Sequence, residues 1–143
     1  MQKYFILDKN NNVVETDLIT ATLFKLVKDN CCLFQEGKDP FIGDFALSTV
    51  FIGLELAEDP FSNAYGDDRR EDNPEGFFFE TAVFPHKDRV VDDAWRPVYA
   101  KRFRTYAEAE EGHRAKRKEL EELAKAREVK TEVEDGETYG TLI

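Results

Sequence analysis

The stretch "FALSTVFIGLEL", residues 45–56, is the longest strand candidate in the chain, and its reading decides the fold. From Ser48 onward the even positions are Ser48, Val50, Ile52, Leu54 and Leu56, while the odd ones are Thr49, Phe51, Gly53 and Glu55. Side chains alternate across a strand, so one face is apolar and the other mixed, as expected of a sheet covered mainly on one side. Gly53 inside the run marks a bulge or a close backbone approach. A second strand, "FFFETAVFP" at 77–85, places Glu80 on one face with Phe78, Ala82 and Phe84. Thr81 shares the other face with Phe77, Phe79 and Val83. A buried Glu80 needs a partner, and Arg102 or Arg104 in a neighbouring strand is placed to supply one. A cross-strand ion pair is favoured over a functional site at this position.

Outward from these strands, "KYFILDKNNNVVET" reads as a hairpin around an Asn-rich turn, lying at a sheet edge. "TDLITATLFKLVKD" follows as a helix capped by Thr16 or Asp17 and ended by Asn30, with Leu18, Ile19, Leu23, Phe24, Leu26 and Val27 gathered on one side. "CCLFQE" reads as a short strand and "EGKDPFIGD" as a turn-rich connection. Another strand lies near "VYAKRFR". Thr105 and Glu108 form a capping box that opens a long helix, in which Tyr106, His113, Leu120, Leu123 and Ala124 trace a narrow apolar stripe. Gly112 is a weak point there, costing about 1 kcal/mol relative to Ala. The expected fold is α+β: a mainly antiparallel sheet of about five to six strands with two helices packed on one face. One domain spans residues 1–130, interrupted by a long acidic loop at 57–76 and followed by an acidic, frayed tail at 131–143.

Composition narrows the function. A chain of 143 residues with 41% hydrophobic content has enough apolar material for one globular core. A net charge of −10 argues against direct nucleic-acid binding or attraction to anionic lipid, because both need Lys and Arg. Charge is also two-sided: Glu55–Asp93 holds 12 acids against 4 bases, whereas Arg96–Lys130 holds 11 bases against 7 acids. The adjacent Cys31 and Cys32 read as reduced strand residues, and without a CxxC pair they cannot build a four-cysteine zinc site. No segment has the length of a membrane span, and a cytoplasmic location is expected.

Catalytic motifs are absent: there is no phosphate loop, no nucleophile elbow and no HExxH. No cofactor or resident metal is expected, although a carboxylate Mg²⁺ site from Asp67, Asp68, Asp72, Asp92 or Asp93 stays open. His113 shares the helical stripe, so it reads as a core-rim histidine hydrogen-bonded to the sheet. The competing enzyme or ligand site requires Glu55, Glu80 and His113 to converge on one pocket. The acidic loop offers Phe61 and Tyr65 as aromatic anchors, with Asp67, Asp68, Glu71 and Asp72 as a docking surface for a basic protein.

Three ordered stretches, "LSTVFIGLEL", "FETAVF" and "RFRTYAEAEEGHR", carry a resemblance. The chain resembles a group of short, uncharacterised proteins of bacteriophages and prophages with the pattern STVFLGLD, then FETMVF, then a TWEEAxxGH helix start. Ser48–Glu55, Phe79–Phe84 and Arg102–His113 match it, over about half of the chain. Glu55-Leu56 departs from it where the group often has Asp-His, which weakens a metal or acid–base site there. The resemblance implies a small α+β fold and a phage origin, and it brings no established activity. The expected function is that of a phage accessory protein that binds and inhibits a host protein, such as a defence or nucleic-acid-handling factor. A ligand-binding protein or enzyme around Glu80 and His113, or a minor virion component, is the alternative.

Overall fold

Two antiparallel sheets and two helices build the protein in the computed structural model, which describes residues 2–26, 33–35, 37–56, 59–60, 76–91 and 96–138, with side chains through Glu128. Strands β1 (Tyr4–Leu7) and β2 (Val13–Thr16) form the first sheet. Asn11, at φ 63°, supplies the left-handed turn residue between them. Helix α1 (Leu18–Lys25) follows. Strands β3 (Phe41–Ile42), β4 (Phe45–Leu56), β5 (Phe77–Pro85) and β6 (Tyr99–Phe103) form the second sheet, in that spatial order. Helix α2 (Tyr106–Thr138) closes the fold.

The strands therefore divide into sheets of two and four, instead of forming one sheet with the hairpin at its edge. Gly53 shows why. Its φ of +80° and the break in β4–β5 register between Phe51 and Leu56 make a bulge. A Cβ there would stand 3.4 Å from the carbonyl oxygen of Phe5 and 2.8 Å from Cε of Lys25. The hairpin and α1 thus pack onto the end of β4 without extending its ladder. Two further readings change. Leu33 and Phe34 lie in a turn, not a strand, while Cys31, Cys32 and Glu36 fall outside the described residues. Phe41 and Ile42 pair with β4 in what read as loop.

Local chemistry sets the helix starts. Of the two cap candidates for α1, Asp17 is the cap, its Oδ1 accepting from the Thr20 amide at 2.7 Å. Thr105 Oγ1 accepts from the Glu108 amide at 3.2 Å and opens α2. The backbone of α2 continues through Thr138, beyond the boundary at 130 that composition marked.

The helices cover the mixed face of β4, not its apolar one. Leu47, Thr49, Phe51, Gly53 and Glu55 are buried, whereas Ser48, Val50, Ile52 and Leu54 are half-buried. The reason lies on β5, where Phe79, Thr81 and Val83 face the same way and bring the large apolar side chains. Phe51, Phe79, Phe103 and Ala109 form one core cluster, against which Phe24 of α1 and Tyr106 of α2 pack. A second cluster joins Ile42, Leu47, Val83 and Leu120.

Candidate functional site

At the centre of the covered face, β4 and β5 place Thr49 directly opposite Thr81. Their hydroxyl oxygens are 2.6 Å apart, and Thr49 Oγ1 is 2.7 Å from Nδ1 of His113 on α2. All three side chains are buried. Among the described residues, His113 Nε2 has no hydrogen-bond partner. A buried N–H without an acceptor is costlier than a bare lone pair, so hydrogen-bond accounting puts the proton on Nδ1, donating to Thr49. Burial, with Arg117, Arg114 and Lys38 nearby, lowers the His113 pKa to about 4, so the ring is neutral at pH 7. The spacing matches a hydroxyl nucleophile beside a base. However, Thr49 and Thr81 are wholly buried, and neither of the two open clefts beside the core includes any of the three residues. The cluster ties α2 to the sheet, as the stripe position of His113 leads one to expect.

Glu80 lies on the opposite face of β5 from Thr81. Its Oε2 accepts from Nε of Arg102, the residue directly across on β6, at 2.9 Å. The Arg102 side chain is only 8% exposed and also donates to the Asp59 carbonyl, so the pair is a half-buried tie between strands. Glu55 faces the hairpin end, packed so closely on Gly76 that a Cβ there would stand 2.0 Å from its Cγ. Glu80 thus lies on the face of the sheet opposite His113, and of Glu55, Glu80 and His113 only Glu55 lines either of the two open clefts beside the core. Phe61, Tyr65, Asp67, Asp68, Glu71 and Asp72 lie outside the described residues, as do Asp92 and Asp93.

Two open clefts flank the core. One, of about 430 Å³, lies between the β3–β4 turn and α2, lined by Ile42, Phe45, Leu120 and Leu123, with an Asp44–Arg127 ion pair at its rim. The other, of about 670 Å³, lies between the first hairpin and the start of α2, and contains Glu55, Arg104 and Phe78. Among the described residues, no group of three or more His, Cys, Asp or Glu gathers to hold a metal ion. Among them, no helix is long and apolar enough to cross a membrane.

The surface feature that sequence reasoning passed over is on α1. Ala21 and Phe24 turn inward, while Leu18, Ile19, Leu23 and Leu26 are 54%, 73%, 60% and 75% exposed. Ile19, Leu23 and Leu26 follow the i, i+4, i+7 spacing of one helical stripe. The sequence carried a partial signal: these apolar residues span a wider arc of the helix than one core-facing side can bury, but which of them turn outward is set by packing. No protein-family model, curated protein or solved structure matches the chain.

Proposed function

We propose that this chain acts by binding another protein, with the outward face of α1 as an apolar anchor and the chain's acidity as the steering force. The exposed Ile19–Leu23–Leu26 stripe is the single observation that supports it, because large apolar side chains clustered on a surface mark an interaction site. A net charge of −10 selects a partner with a basic rim around an apolar cleft. A second copy is the poorer occupant. Two chains of −10 repel, and four side chains fall short of the ~800 Å² per partner of a standard interface. The resemblance to short phage proteins extends this to an accessory factor that binds and inhibits a host protein. Asp67, Asp68, Glu71 and Asp72 then add to the attraction, and Phe61 and Tyr65 to the anchoring.

The test starts with cross-linking capture from host lysate, followed by calorimetry with the purified captured protein. Leu23→Asp leaves the buried residues untouched, so its circular dichroism should match wild type while affinity falls at least about tenfold, the cost of losing one apolar anchor. Neutralising the four loop acids should weaken binding and flatten its salt dependence. Unchanged affinity of Leu23→Asp removes α1 from the interface. A wild-type dimer in light scattering that Leu23→Asp dissociates replaces the basic partner with a second copy.

A further inference from the structure

Leu33–Gln35 and Gly37–Pro40 run across the outside of the His113 cluster. The Leu33 amide donates to the Thr49 carbonyl at 2.9 Å, and the Leu47 amide donates to the Pro40 carbonyl at 2.9 Å. Gln35 Nε2 donates to the Leu47 carbonyl at 3.0 Å, so the segment is laid along β4. Phe34 is its cover piece. The Phe34 ring centroid stands 5.5 Å from the His113 ring and 5.0 Å from that of Tyr106. Phe34 holds this position at φ 62°, a left-handed conformation that a bulky side chain adopts only under strain. Contacts keep the cover closed against its own backbone preference.

We propose that His113 is an acid-operated latch for these residues: a proton added to the buried ring releases Leu33, Gln35 and Pro40 from β4 and uncovers Phe34 and Tyr106. The device is separate from the binding face on α1. Its cause is hydrogen-bond accounting. The neutral ring uses Nδ1 on Thr49 and leaves only a lone pair at Nε2; a second proton turns Nε2 into a charged donor with no acceptor. The charges facing the ring oppose that proton as well. Arg114 and Arg117 come from α2 and Lys38 from the covering segment, while Thr49 of β4 and Thr81 of β5 bring neutral hydroxyls to the cluster. A charged imidazole requires water, and the strained cover is the element placed to yield.

The direction follows from the two states of the ring. The closed form holds its pKa near 4, against 6.5 for a solvated histidine. Closure is therefore fully favoured above pH 6.5, loses ground as pH falls toward 4, and changes no further below that. At pH 5 the open population should be about 25-fold higher than at pH 7.5.

Amide hydrogen exchange on the full chain, resolved by NMR at pH 7.5 and pH 5, tests this. Protection factors at Leu33 and Leu47 should drop about 25-fold and stay well below those of Phe79 and Val83 in β5 at both pH values, because the local opening costs less than global unfolding. His113→Gln should abolish that pH dependence. If that variant does not fold, Lys38→Glu decides: it should raise the His113 titration midpoint and shrink the loss of protection at pH 5. Unchanged protection at Leu33 and Leu47, protection there equal to that of β5 at both pH values, or a Lys38→Glu protein indistinguishable from wild type would each overturn the latch.

Discussion

Gly112→Ala puts helix propensity and packing in opposition. In the interior of a helix, Ala is favoured over Gly by about 1 kcal/mol, so propensity alone makes the substitution stabilising. The structure reverses the sign. A Cβ at position 112 would stand 2.3 Å from Cζ, 2.7 Å from Cε1 and 3.1 Å from Cε2 of Phe103. Phe103 is 7% exposed and packed with Phe51, Phe79 and Ala109, so its ring has no free direction in which to retreat. Overpacking of a filled core costs roughly 1–3 kcal/mol, and a contact more than 1 Å too short belongs at the upper end. Subtracting the propensity gain leaves a net destabilisation of about 1–2 kcal/mol. Urea unfolding monitored by far-ultraviolet circular dichroism measures it as a lower midpoint at unchanged slope. Phe103→Leu removes the colliding ring, so Gly112→Ala should become neutral or stabilising in that background. The double-mutant cycle should then show a coupling of about 1–3 kcal/mol. A stabilised Gly112→Ala, or a cycle without coupling, would refute the claim that glycine stands there for the ring.

The other predictions concern buried polar ties. Thr49→Val should cost about 2 kcal/mol or more, because it strips the partner from both His113 and Thr81, whereas Thr81→Val should cost about 1 kcal/mol and leave the Thr49–His113 bond intact. Urea midpoints would contradict the cluster's order if the two costs were equal or inverted. Glu80→Ala should destabilise by about 1–3 kcal/mol by leaving the 8%-exposed Arg102 without its carboxylate. Half-buried charges are poorly screened, so this loss should persist in 0.5 M salt, roughly unchanged, unlike that of an exposed pair such as Arg114–Glu110. A loss that vanishes in salt would place the pair at the surface.

Much of the fold was legible because the governing forces are local. Alternation gave β4 and β5, the Asn-rich turn gave the first hairpin, and Thr105 marked the start of α2. Gly53 read as a bulge or close approach and is both, since a left-handed φ and a crossing backbone exclude a Cβ. A cross-strand ion pair at Glu80, with Arg102 or Arg104, and the attachment of His113 to the sheet were likewise legible, because an isolated buried charge or imidazole is too costly to leave without a partner; the structure chose Arg102.

Periodicity, however, states which side chains share a face and not what that face meets. The sequence determined that Thr49, Phe51 and Glu55 point together; only the tertiary structure decided that this mixed face, not the apolar one of Val50 and Ile52, lies under the helices. The cost of burying its hydroxyls is offset by Thr81 and His113, which lie 32 and 64 residues from Thr49 along the chain. The same limit explains α1, whose apolar residues were evident while the outward turn of Leu18, Ile19, Leu23 and Leu26 was not. It also explains Gly112, a flaw by helix propensity and a fitted position once Phe103 lies against it. Local preference is written residue by residue, but the choice among faces is made by contacts between segments distant in sequence.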